Sequence, residues 1–166
     1  MLKATIALVN SLFPLEEASA HCDVPCGIYD PHYAQIGALT VVRMNQLIEA
    51  MEPPAMEKDA RAKYMHALVR YTTAKEEAAE LVKHEVRIIR GDFFKVDNSP
   101  DNIGAITDGI MKTASQARQN VDAAAADKLL GLVNDFAAEF WKAKGVKTKK
   151  QSTNQAAGGE FVVPAE

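Results

Sequence analysis

Two thiols and an imidazole lie within six consecutive residues of this chain, in the run His21-Cys22-Asp23-Val24-Pro25-Cys26-Gly27-Ile28-Tyr29-Asp30-Pro31. Cys22 and Cys26 are the only cysteines in the sequence. Two cysteines four apart are too few for a disulfide framework and too close together to staple distant segments. They could be inert free thiols, a local disulfide closing a very small loop, or metal ligands. The commonest zinc sites need four protein ligands, so zinc here would have to recruit Asp23 or His32. Spacing alone leaves these readings open.

The preceding residues bear on the choice. Residues 1–20, MLKATIALVNSLFPLEEASA, carry Lys3, an apolar run from Ala4 to Phe13 broken by Asn10, and the small-residue ending Ala18-Ser19-Ala20. That order of charge, apolar run and Ala-x-Ala site reads as a cleaved leader, removed inside the cell or by an export peptidase. Cleavage after Ala20 makes His21 the new amino terminus. Its amine, with a pKa near 7.7 to 8, can then shed a proton and bind a metal near neutral pH. That amine, the deprotonated amide nitrogen of Cys22 and the two sulfurs make a flat N2S2 set, with the imidazole above the plane. Tetragonal nitrogen-rich sets suit copper(II) or nickel(II), and zinc has no reason to prefer them. Thiolates also stabilise a higher oxidation state by donating charge, so the site reads as redox-active.

The rest of the chain must position this run. The sequence has 166 residues, 25% of them charged and 48% hydrophobic, the pattern of one ordinary globular domain that needs no disulfides to hold together. With 19 basic and 22 acidic side chains the net charge is -3, which offers no basic field for nucleic acid. No segment approaches the roughly 20 apolar residues of a membrane span, so no membrane partner is expected of the mature form.

Four helices are expected. Asp30-Pro31 is a capping side chain followed by proline, and Ile36, Leu39, Val42, Leu47, Ile48 and Met51 roughly follow a helical stripe up to Pro53-Pro54. Tyr64, Leu68, Tyr71, Ala74, Ala78, Leu81, Ile88 and Ile89 predict a long second helix ending before Gly91. Ser99-Pro100-Asp101 opens a third, faced by Ile103, Ile106, Ile110, Ala114 and Ala117. A fourth begins near Asp122, with Leu129, Leu132, Val133, Phe136 and Phe140 on its apolar face and Gly145 at its end. Short connectors make this an all-α, antiparallel up-down-up-down four-helix bundle with an irregular amino-terminal hook. No strand is expected. Residues 145–166, GVKTKKQSTNQAAGGEFVVPAE, read as a tail without fixed structure, although Phe161-Val162-Val163 could dock on the body or on a neighbouring subunit.

His21 to Pro31 is similar to the amino-terminal hook of the nickel superoxide dismutases, whose mature chains begin His-Cys-Asp-x-Pro-Cys-Gly-x-Tyr-Asp-Pro; every specified position matches. A weaker likeness continues through Ala79-Glu80-Leu81, Lys83-His84, Asp92, Phe94-Lys95 and Phe140-Trp141, so it spans residue 21 to about 144. The resemblance implies a homohexameric four-helix bundle with one nickel ion per subunit and superoxide as substrate. It divides the chain into a leader, 1–20, an enzyme domain, 21–144, with its hook at 21–29, and the tail, 145–166. The implied ligands are the amine and imidazole of His21, the amide nitrogen and thiolate of Cys22, and the thiolate of Cys26. The imidazole binds in the nickel(III) state and leaves in the nickel(II) state as superoxide is disproportionated to oxygen and hydrogen peroxide. Asp23 and Tyr29 match residues that organise the hook and the small-anion entrance, Pro25 a proline in its turn, and Lys95 a lysine that guides the anion. His32, His66 and His84 receive no role.

Departures from the family pattern accompany the match. A glutamate early in the first helix and an arginine in the second, which together orient the axial imidazole in the family, fall on Gly37 and Ala78, and a tyrosine after Asp92 is Phe93. The competing readings are a non-enzymatic nickel or copper binding protein and an exported bundle with a Cys22-Cys26 disulfide. The family leader is generally cut inside the cell, which implies a leader-cleaving protease and a cytoplasmic enzyme; Ala18-Ser19-Ala20 would also satisfy export to the periplasm.

Overall fold

The computed structural model describes residues 27–165. The chain forms α1 (His32–Glu49), α2 (Lys58–Ile88), a π-helical turn (Ile89–Phe93), α3 (Ile103–Gln119), α4 (Ala123–Ala143), β1 (Thr148–Ser152) and β2 (Glu160–Pro164). Each helix packs on its two sequence neighbours and α4 closes back on α1, giving the expected antiparallel bundle.

The core is built from the apolar stripes, with several shifts in phase. On α1 the buried positions are Ala34, Ala38, Leu39, Val41 and Val42, whereas Ile36 is 42% exposed. On α2 they are Ala78, Ala79, Val82 and Val86, and Leu81 lies at the surface. Ile103, Ile110, Ala114 and Ala117 from α3 meet Leu129, Val133, Phe136 and Phe140 from α4, where each buried phenylalanine contributes about 2–3 kcal/mol. Small residues dominate the α1 and α2 stripes, so those helices approach closely.

The helix signals hold with small adjustments. Asp122 caps α4, its carboxylate accepting the Ala125 N–H at 2.9 Å. The end of α4 is a Schellman turn: Gly145 has φ +73°, Val146 N–H donates to Trp141 O, and Gly145 N–H donates to Lys142 O. α3 starts at Ile103, three residues after Pro100, because Pro100 O is taken up by a turn whose donor is Ile103 N–H. α2 ends at Ile88, before Gly91 as expected, and runs straight on into the π turn, with Phe94 N–H donating to Ile89 O five residues back.

Residues 145–166 depart most from expectation. Where a tail without structure is expected, β1 and β2 pair antiparallel, with Gln151 opposite Phe161 and Lys150 opposite Val162. The link between them turns through positive φ at Asn154, Gly158 and Gly159. Phe161 and Val162 are buried against the bundle. The outer edge of β2 is satisfied by helix side chains in place of another strand: Val162 N–H donates to Asn134 Oδ1 at 3.2 Å, and Gln35 Nε2 donates to Val162 O at 3.0 Å. Asn134 Nδ2 donates to Glu160 O, and Gln46 Nε2 to Ala157 O. These side chains recruit the hairpin, and all of them sit on helices far away in sequence.

At the end of the bundle remote from the hook lies a buried cation. Lys75 is only 2% exposed; its Nζ donates to Asn120 O at 2.7 Å and to Asn45 Oδ1 at 3.3 Å, and Asn45 Nδ2 donates to Asp122 O. Lys75 therefore sits at the carboxyl end of α3, where the helix dipole favours positive charge. Burial nevertheless pushes its pKa below the ordinary value, against a smaller opposing effect of Glu76.

Candidate metal centre

The candidate ligands His21, Cys22 and Cys26, with the supporting Asp23 and Pro25, lie outside the described residues, which begin at the root of the hook. Gly27 has φ +70°, a conformation that favours glycine, and Ile28 after it is 75% exposed. Tyr29 is half-buried, its ring 6.0 Å from that of Phe93. Asp30 Oδ1 accepts the His32 N–H at 2.8 Å, and Pro31 O accepts the Gln35 N–H. The Asp-Pro signal thus fastens the hook to the first turn of α1.

Phe93 belongs to an aromatic platform at this end of the bundle. Its ring lies 4.6 Å from Phe140 and 5.0 Å from Phe94, and Phe140 meets Trp141 at 5.0 Å. The π turn makes this possible: the extra residue carries Ile89 and Phe94 into the core while Phe93 stays half-buried beneath Tyr29. Lys144 lies over the platform, its Nζ 5.1 Å from the Phe140 centroid and 5.6 Å from that of Trp141. Lys95, exposed on the connector after the turn, has its backbone N–H held by Asn98 Oδ1. Lys144 thus places a cation on the aromatic platform that carries Tyr29 through Phe93. Lys144 stands four residues after Phe140, the helical spacing that allows this stacking.

Gly37 and Ala78 prove to be neighbours. A Cβ at Gly37 would lie 2.9 Å from Val82 Cγ2 and 3.1 Å from Ala78 O, so α1 and α2 touch where the family pattern places two long charged side chains. There is no room here for that ion pair without separating the helices. Close by, the His32 ring meets Phe161 of the hairpin edge-on at 5.4 Å. Sequence analysis gave His32 no role and left Phe161 in a tail; the apolar triplet at 161–163 was the only available sign. An open groove of about 560 Å³ runs between α1 and the hairpin, floored by Ile36, Leu39 and Phe161 with Arg43 at its side. His66 and His84 are exposed on α2.

Among the described residues, no group of three or more His, Cys, Asp or Glu side chains could hold a metal. The family model described as nickel-containing superoxide dismutase matches residues 16–144, a range that contains the whole hook sequence. This chain belongs to the nickel-containing superoxide dismutase family. It is 32% identical over 140 residues to the superoxide dismutase [Ni] of Streptomyces seoulensis, covering 82% of this chain and 98% of that protein. It is 31% identical over 141 residues to that of Streptomyces coelicolor, with the same coverage. A crystal structure of a nickel-containing superoxide dismutase with nickel ligation corresponding to the oxidised state superposes with a TM-score of 0.65 at 30% identity, covering 75% of this chain and 99% of the other. One described as the state after partial X-ray-induced reduction gives the same values. The family match ends at residue 144, so the hairpin lies beyond it.

Proposed function

We propose that this chain is a nickel-dependent superoxide dismutase whose working form begins at His21. The observation that carries this reading is the family match across 16–144, which includes the hook sequence. The donors fit nickel chemically: the two thiolates of Cys22 and Cys26 supply soft, electron-rich ligation, and nitrogens come from the His21 amine and imidazole and the Cys22 amide. Bound nickel supplies the one-electron chemistry, cycling between nickel(II) and nickel(III) as superoxide is disproportionated to oxygen and hydrogen peroxide.

The chain's own residues prepare that chemistry. Cleavage after Ala20 frees the His21 nitrogen, which as an amide could not act as an amine ligand. Asp23 and Pro25 match family residues that organise the hook, and the same part is assigned to them here. Tyr29, gripped by Phe93, provides an Oη that can hold water or a small anion at the entrance, and no hydroxyl faces it from position 93. Lys95 and Lys144 create a local positive field that attracts the superoxide anion, an effect that weakens as ionic strength rises.

Assembly as a homohexamer fits the form of α2. At 31 residues it is about 46 Å long, against about 27 Å for α1, and its overhanging first half exposes Met65 and Val69. A leader-cleaving protease and a cytoplasmic location complete the reading. The decisive test is intact-mass and metal analysis of the protein purified from nickel-supplied cells, with a superoxide assay. The expected result is a chain beginning at His21 with one nickel per subunit and rapid turnover, both lost in Cys22→Ser. An uncut chain, a Cys22-Cys26 disulfide without metal, or nickel bound without turnover would each overturn it.

A further inference from the structure

The hairpin formed by β1 and β2 contacts the bundle at a particular place, the first turn of α1. Phe161 lies against His32, three residues after Tyr29 and five after Gly27. Gln35, fully buried, donates both to Val162 O and to Asn134 Oδ1, while Asn134 in turn holds Val162 N–H and Glu160 O. One connected network of amide side chains therefore ties α1, α4 and β2 together. Every member is satisfied, the condition under which such a network rigidifies its surroundings.

The first turn of α1 is also stiffly coupled to the hook. Pro31 has a fixed φ and restricts Asp30, and the Asp30 carboxylate bonds the His32 N–H. Displacement of the His32 backbone would therefore carry Asp30 with it. Tyr29 is held by Phe93 from the π turn, and His32 by Phe161 from the hairpin. Without the hairpin, the His32 ring would lose its contact with Phe161, and the Gln35 amide would keep its bond to Asn134 Oδ1 but lose the one to Val162 O. The helix contact at Gly37 leaves no space for long side chains that could reach the hook from α1 and α2.

We infer that the carboxyl-terminal hairpin is a strap that fixes the root of the metal hook, with Phe161 and Gln35 as positioning residues that supply, through the backbone of α1, the support absent at Gly37 and Ala78. This inference rests on the nickel reading above for its consequence at the metal, but not for its effect on the root.

The test uses the full mature chain carrying Phe161→Ala, with Phe161→Trp as rescue and Ile110→Ala as a core control remote from the root. In metal-free protein, hydrogen exchange of the amides in residues 28–36 should rise about tenfold in Phe161→Ala. In nickel-loaded protein the dissociation constant for nickel should rise by about tenfold, the lower end of losses seen for partners that orient ligands. Any nitrogen splitting in the spectrum of the oxidised nickel-loaded protein should broaden or vanish. Phe161→Trp should restore all three, and Ile110→Ala should lower thermal stability without moving any of them. If Phe161→Ala does not fold, Gln35→Met, which removes the network bonds at similar volume, should produce the same changes. Values within twofold of the parent, or equal changes in Ile110→Ala, would overturn the strap. A parent chain that takes up no nickel would instead refute the proposed function, and the exchange measurement would still decide the strap.

Discussion

Replacing Gly37 with alanine isolates the close approach of α1 and α2. In a helix, glycine to alanine ordinarily stabilises by about 1 kcal/mol, because alanine loses less backbone freedom on folding. At Gly37 the added Cβ would stand 2.9 Å from Val82 Cγ2 and 3.1 Å from Ala78 O. Val82 is fully buried and has no open space to turn into, and a backbone oxygen moves only if α2 moves. Overpacking of this kind costs about 1–3 kcal/mol, so the net change should be a loss of about 1 kcal/mol. Gly131, on the exposed face of α4, has nothing within 4 Å of its built Cβ and should show the ordinary gain. The two variants should therefore differ by about 2 kcal/mol, roughly 4–8 °C in Tm for a chain of this length. Thermal unfolding by circular dichroism, on metal-free protein at one concentration, measures this directly. If Gly37→Ala raises Tm as much as Gly131→Ala, the helices are not in contact there, and the account of the missing ion pair fails with it.

Lys75→Ala should cost about 2–4 kcal/mol, since it opens a cavity and strips Asn45 Oδ1 of its described donor, whereas Lys75→Met, which removes the buried charge and keeps the stem, should stay within about 1 kcal/mol of the parent in urea unfolding. Because burial lowers the folded pKa of Lys75 below the ordinary 10.5, the unfolded chain binds more protons between the two values. Stability should therefore rise with pH as that window is crossed, and Lys75→Met should flatten the rise. Glu80 behaves in the opposite sense: the hydrogen bond from Arg87, with help from the nearby cations Lys83 and Arg118, holds its carboxyl below the usual value near 4.5. Its contribution should be present above that value and lost as pH falls through the lowered one, so Glu80→Gln should blunt acid destabilisation slightly, and less so in high salt, as read by Tm between pH 6 and 3.

Much of this molecule was legible because its signals are local. The proposed donors of the hook sit within six residues, and the proposed cleavage site lies just before them. Helix periodicity repeats every three or four residues, so the four helices, the buried face of α3 and the large apolar residues of α4 could be read from short windows, as could the cap at Asp122 and the stop at Gly145. The phase errors at Ile36 and Leu81 have a simple cause. Alanines and a glycine line the true α1–α2 seam, and a reading that follows the largest apolar residues passes over them.

The sequence by itself determined the nickel-containing superoxide dismutase family and the four-helix class, because both show in residues adjacent in the chain. Only the tertiary structure decided that the last residues form a hairpin, that Gly37 meets Ala78, that Lys75 is buried, and that a π turn lifts Phe93 to Tyr29. Gln35 and Asn134 are 99 residues apart and Gln35 and Val162 are 127 apart, so nothing in either local segment marks those amides as partners. A polar side chain on a helix reads as solvent-facing until the fold brings it an unpaired strand edge, and that edge exists only once the bundle has formed beneath it.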